Sequence, residues 1–254
     1  MRHNLIKPMK LRFLAIGVVW ASMTMLVQGE WATFTYSSGF QNGGVIPDNS
    51  LVGWADTRQV SGLVGEILDV NVGLQLSGGW NGDLYSWLVH STGFAVLLNR
   101  VGGTGVNPPG YGDAGMSMML DDQGEKGDIH WYGGGFIPTT TAWPTVPDGA
   151  PTPSDNWKPD GRYVDPIDGD VGVAPRTALL SSFNGLNPNG DWTLFIADVA
   201  AGETSTLTSW TLNIQTAAVP EPASLVQGAV VVLLMGGVMG GYRLRGQKRR
   251  FHSH

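Results

Sequence analysis

Leu68-Asp69-Val70-Asn71-Val72-Gly73-Leu74-Gln75-Leu76 alternates apolar and polar residues without a break. Successive side chains of an extended strand point to opposite faces, so this stretch predicts a half-buried strand. Leu68, Val70, Val72, Leu74 and Leu76 are expected on its core side. The following Ser77-Gly78-Gly79-Trp80-Asn81-Gly82-Asp83 has turn composition. Residues 84–90 predict the next strand, and Ser91-Thr92-Gly93 is a hairpin signal leading into residues 94–98. Further strands are predicted over residues 116–120, 192–197 and 207–214, the last with Trp210, Leu212 and Ile214 on one face. No stretch of the body sustains a 3.6-residue period. Short strands separated by glycine-rich turns predict an all-β fold, an antiparallel sandwich or jelly roll.

One long region breaks this rhythm. Residues 133–175 hold eight prolines, many glycines and little alternation. Loops of such length are either functional or unstructured, and this one has room for short edge strands whose positions the pattern does not give. Trp131, Trp143 and Trp157 lie in or beside it. They are candidates for stacking on sugar rings; the alternative is that they pin the loop to the sandwich. Asp121, Asp122, Glu125 and Asp128 fall within eight residues and are candidate calcium ligands, because calcium prefers carboxylates on irregular loops. A second acidic group is Asp165, Asp168 and Asp170. Neither group has EF-hand spacing, and ordinary Asx-turn chemistry is the competing reading.

The chain has no cysteine, which excludes a disulfide framework, a thiolate metal site and a cysteine nucleophile. The formal charge of −6 conceals a strong asymmetry. Nine of the fifteen basic residues lie at the two ends; between Glu30 and Ala218 six basic residues stand against twenty acidic ones, a balance of −14. Such a body repels nucleic acid and anionic lipid and favours solubility. A body of roughly 190 residues is long enough for one cored domain without disulfides.

Both ends carry addresses. At the N-terminus, Arg2, Lys7, Lys10 and Arg12 precede a mostly apolar run over residues 13–27, which predicts a signal peptide over residues 1–29, with cleavage after Gly29 or alternatively after Ala21. At the C-terminus, Val219-Pro220-Glu221-Pro222-Ala223-Ser224-Leu225 is followed by an apolar and glycine run to Tyr242, interrupted only by Gln227. Arg243, Arg245, Lys248, Arg249 and Arg250 then form a basic tail. Residues 225–242 are about long enough to span a bilayer, and the tail is expected to stay cytoplasmic. The order of these three parts over residues 217–250 resembles the PEP-CTERM sorting signal of Gram-negative bacteria. The resemblance implies processing by an exosortase-type enzyme and passage to the cell surface or extracellular matrix by way of an inner-membrane intermediate.

The body also carries a resemblance. Asn184-Gly185-Leu186-Asn187-Pro188-Asn189-Gly190-Asp191-Trp192-Thr193-Leu194, with the later Leu207-Thr208-Ser209-Trp210-Thr211-Leu212, is similar to the closing half of the P/Homo B domain of subtilisin-like proprotein convertases. Ile46-Pro47-Asp48, Gly82-Asp83-Leu84 and Ala95-Val96-Leu97-Leu98 fit its opening half. The resemblance implies a jelly-roll β-sandwich (galactose-binding-like) over residues 46–216, after an extension at 30–45, with residues 133–175 as an insertion. In that family the domain is an accessory to a separate catalytic domain. The body holds two histidines, His90 and His130, and neither a Gly-x-Ser-x-Gly elbow nor a His-Glu-x-x-His pair. Asp83, Asp191 and Asp198 belong to the family-like motifs and are expected to organise turns and strand ends. The expectation is an exported, surface-sorted, non-enzymatic sandwich with a structural or interaction role. The alternatives are a polysaccharide-binding module and an accessory to a separately encoded protease. Calcium is the one cofactor in view.

Overall fold

The alternation over 68–76 lies within a strand of twelve residues at the centre of a five-stranded sheet. The computed structural model describes residues 29–104, 110–133, 155–167 and 171–218. Residues 1–28 of the expected signal peptide, the sorting motif with its apolar run and basic tail, Trp143, Asp168 and Asp170 fall outside them. Nine strands follow in chain order: β1 Glu30–Tyr36, β2 Ser50–Val60, β3 Ile67–Gly78, β4 Leu84–His90, β5 Gly93–Asn99, β6 Met116–Leu120, β7 Asn156–Trp157, β8 Gly190–Asp198 and β9 Ser205–Thr216. They form two sheets, ordered β1-β9-β3-β6-β7 and β2-β8-β4-β5. All pairings are antiparallel except β6 with β7. No α-helix occurs among the described residues, and none of their helical turns is long and apolar enough to cross a membrane.

The core lies between the sheets. From β3 it takes Val70, Val72 and Leu74, from β4 Leu84 and Leu88, from β8 Trp192, Leu194 and Ile196, and from β9 Trp210, Leu212 and Ile214, all with no exposed surface. Burying each such side chain contributes roughly 1.5–3 kcal/mol. The inward row of β3 departs from simple alternation at one end. A register shift between Ile67 and Asp69 turns Ile67 inward and leaves Leu68 44% exposed, so Leu68 is not a core residue as its position in the alternation suggests.

Three strands extend the sequence reading. β1 pairs with β9 along its whole length, so the sandwich begins well before Ile46. β2 crosses the molecule on β8 and faces the core with Trp54, Asp56, Arg58 and Val60. β7 is a short edge strand inside the proline-rich region. That region also seals the free edge of β5: Asp160 and Gly161 donate backbone N–H groups to Leu97 and Val96, and Val96 donates to Ala178. Covered in this way, β5 is buried on nearly every residue.

Candidate ligand-binding faces

The groups best suited to chemistry are inside. His90 is 2% exposed; its Nδ1 lies 2.9 Å from the Asp191 carbonyl and its Nε2 2.7 Å from the Asn187 carbonyl. Its ring stacks on Trp192 at 4.1 Å, within 3° of parallel. His130 is fully buried, with Nδ1 2.6 Å from Asp160 Oδ2 and Nε2 2.9 Å from the Gly103 carbonyl. Both nitrogens of both rings therefore face oxygen acceptors at hydrogen-bond distance, and neither ring presents a nitrogen to solvent or to a hydroxyl nucleophile.

His130 belongs to a clasp that organises the long region. The buried Arg162 guanidinium donates to Asp128 Oδ2 at 2.8 Å, to Asp160 Oδ1 at 3.2 Å and to the Gly172 carbonyl at 3.3 Å. Arg176 donates to the carbonyls of Asp160 and Pro159. Asp128 also accepts from the His130 N–H and so caps the turn Ile129–Trp131. Charges this far from water are tolerated only when paired and hydrogen-bonded, which fixes the geometry of every segment that contributes one.

The acidic residues expected to share a cation have different hydrogen-bond partners. Asp121 accepts from the Gln123 N–H and from Asn156, Asp122 accepts from the N–H groups of Leu180 and Ser181, and Asp128 belongs to the clasp. Glu125 lines a surface groove. Among the described residues no three carboxylate or imidazole side chains are grouped as a metal site. Asp165 accepts from the Ile167 N–H in an Asx-type turn. Trp131 stands edge-on to His130 at 4.5 Å, with the Arg162 guanidinium 6.0 Å from its ring centre. Trp157 packs on the core, edge-on to Tyr132 at 6.4 Å. Both indoles thus make contacts within the fold.

Asp83 and Asp198 sit at adjoining strand ends, 1% and 0% exposed, and the Oδ2 atom of each lacks a hydrogen-bond partner. Burial pushes the Asp83 carboxyl up to about 6, against the Arg100 guanidinium 3.7 Å away. Burial, with Asp83 and Asp48 nearby, pushes Asp198 up to about 7. Asp198 also accepts from the Ala200 N–H, in keeping with a strand-end role.

The two outer faces offer different chemistry. On the five-stranded sheet, a groove of about 600 Å³ is lined by Gly73, Gln75, Ser117, Met119, Asn156 and Thr211, with Glu125, Lys126 and Asp155 also on its wall. On the four-stranded sheet, a cleft of about 510 Å³ has Tyr85, Trp87 and Phe195 as its floor, Tyr163, Asp165 and Pro166 along one side and Leu51 on the opposite lip. The rings run across the strands. Phe195 stacks on Trp87 at 4.7 Å, Trp87 meets Phe94 at 5.9 Å, and Phe94 meets Tyr163 at 5.3 Å. The band is not legible in the sequence because the β4–β5 hairpin that carries Tyr85, Trp87 and Phe94 is completed by Tyr163 and Phe195, which lie far along the chain. The outward positions of β4, Tyr85 and Trp87, were its one local signal.

No protein-family model matches the chain, and no curated protein matches it. Solved structures similar to it include two from Aeromonas sobria. One is a chain in the crystal structure of the Aeromonas sobria serine protease and chaperone complex, 15% identical, covering 76% of this chain and 27% of that chain at a TM-score of 0.37. The other is the serine protease of Aeromonas sobria, 14% identical, covering 75% of this chain and 27% of that chain at a TM-score of 0.36. At these scores the likeness carries nothing about activity or partner.

Proposed function

We propose that this is an exported protein, sorted to the cell surface by Pro220-Glu221-Pro222 and the segment after it, where it acts by binding and not by catalysis. Its role is that of a structural or interaction component of the envelope or extracellular matrix. One observation carries the non-catalytic half: both histidines of the body are inside, each with its two ring nitrogens engaged, while the surface presents two grooves. The acidic body and the absence of cysteine agree with a soluble exported domain that relies on its core. The chain changes sheet at β1–β2, β2–β3, β3–β4, β5–β6, β7–β8 and β8–β9, and this repeated crossing supports the jelly-roll arrangement within the sandwich.

The test is sorting. In a Gram-negative host that carries an exosortase, the tagged full chain should appear in the surface or extracellular fraction. A Pro220→Ala, Glu221→Ala, Pro222→Ala triple variant should accumulate in the inner membrane with its basic tail intact, as read by fractionation and mass spectrometry of the C-terminus. Identical distributions and identical C-termini for the two proteins would sink the reading.

A further inference from the structure

We propose that the aromatic cleft on the outer face of the four-stranded sheet binds a neutral polysaccharide strand; this rests on the reading of the protein as a surface binding component, and names its site and ligand class. The outer face of a sandwich sheet is ordinarily polar, and the five-stranded sheet follows that rule with Thr35, Thr211, Asn71, Asn213, Gln75 and Ser209, leaving Trp31 and Met119 as isolated apolar residues among them. The four-stranded sheet follows it at Thr57 and Thr193 but departs from it beside them, where aromatic rings adjoin across the strands. Trp87 and Phe195, paired across β4 and β8, lie stacked on its outer side. Tyr163, 67% exposed, and Leu51, 55% exposed, stand on opposite sides of the same cleft.

The backbone is shaped to keep the cleft open. β2 bulges between Ser50 and Trp54, and Gly53 at φ +61° passes so close to Phe195 that a Cβ there would meet its ring at 2.5 Å. On the other side, residues 163–166 rise from the clasp as a wall: Asn99 donates from its side chain to the carbonyls of Arg162 and Val164. The volume, about 510 Å³, suits a few sugar rings.

The lining selects the ligand class. Aromatic faces take the C–H side of a sugar ring, and hydroxyls need donors and acceptors at the edge. Tyr85 and Tyr163 supply phenol groups, and Asp165 supplies a carboxylate. Burial, with Tyr163 and Asp165 nearby, raises Tyr85, so its O–H remains a donor at neutral pH. The lining holds a carboxylate and no basic side chain, on a body with a net balance of −14, which disfavours an anionic glycan.

The test uses the full chain in detergent micelles with cellohexaose, laminarihexaose, mannohexaose and xylohexaose, and polygalacturonate as the anionic control. Isothermal titration should give saturable binding to at least one neutral hexasaccharide and none to polygalacturonate. Tyr163→Ala removes an exposed ring and should weaken binding by at least about tenfold, with Tm unchanged, while Trp31→Ala, which removes an exposed ring from the other sheet, should retain the affinity of the parent. Absence of a saturable response to all four neutral probes overturns the proposal. So does undiminished binding by Tyr163→Ala, which would move the site elsewhere while leaving the surface-binding reading intact. A concentration-dependent dimer abolished by Tyr163→Ala would instead make a second copy the occupant and also overturn it. The sorting experiment reads the surface assignment independently of all these outcomes.

Discussion

Asp56 shows how a charged residue comes to lie at a core position. Its Oδ2 accepts from the indole N–H of Trp210 at 2.8 Å and from Arg58 Nε at 2.7 Å. Trp210 has no exposed surface, so its N–H has no recourse to water if that acceptor is removed. Asp56→Ala should therefore cost about 2–3 kcal/mol in urea unfolding, while Asp191→Ala, at an exposed position, should change stability by less than about 0.5 kcal/mol. Equal effects would refute the buried-acceptor role. Asp83 and Asp198 make a second prediction at this scale, with a sign opposite to common acid denaturation. Their carboxyls are raised to about 6 and about 7 from an ordinary 3.8. Between those values and the ordinary one, the folded state binds more protons than the unfolded state. Stability then falls as pH rises from about 4 to about 7 and is level above that. Asp198→Asn cannot ionise, so it should flatten that slope in Tm measured from pH 4.5 to 8 and raise stability at pH 8 by about 1 kcal/mol. A slope equal to that of the parent would remove Asp198 as its source.

Elements divide by whether their two faces meet different surroundings. β3, β6, β8 and β9 were legible because one face meets the core and the other meets water, which writes alternation into the sequence. β2 was not, since two of its four inward residues, Asp56 and Arg58, are charged and erase the pattern. β1 is partly exposed along its length and β7 is only two residues long, so neither leaves a signal. The clasp was illegible for a different reason: His130 and Asp160 are 30 residues apart, and Asp128 and Arg162 are 34 apart. Asp128 was visible as an acid, but its partner was not. The bulge in β2 is testable in isolation. Gly53 and Gly62 both have positive φ, at +61° and +83°, but a Cβ on Gly62 meets nothing within 4 Å. Gly62→Ala should cost about 1 kcal/mol, from backbone strain alone. Gly53→Ala adds a collision with Phe195 and should cost about 2–3 kcal/mol, with a change in Trp87 fluorescence. Matching losses would mean that the Phe195 contact relaxes freely.

At the scale of the whole molecule, the two sheets differ in what they need from the long region. The β3–β9 pair lies within its sheet and has a strand on each side. β5 is an edge strand whose outer hydrogen bonds are made with Asp160, Gly161 and Ala178; Asp160 is held by Arg162, His130 and Arg176, and Ala178 donates in turn to the Gly161 carbonyl. An edge strand with unpaired backbone groups is a weak point, so the clasp protects the four-stranded sheet as well as the loop. Arg162→Ala would take the guanidinium from the buried Asp160 carboxylate and leave Asp128 only the more distant Arg176 at 3.8 Å, a loss of about 3–5 kcal/mol if the clasp is rigid. The loss should be local. In hydrogen exchange followed by mass spectrometry, the amides of Val96, Asp160, Gly161 and Ala178 should lose protection together, ahead of Val72 and Leu212. Arg162→Lys keeps a charge but cannot reach Asp128, Asp160 and the Gly172 carbonyl at once, so it should restore only part of that protection. Simultaneous loss at all six amides would show instead that the sandwich and its long region open as one unit, and that the clasp stabilises the whole core and not one edge.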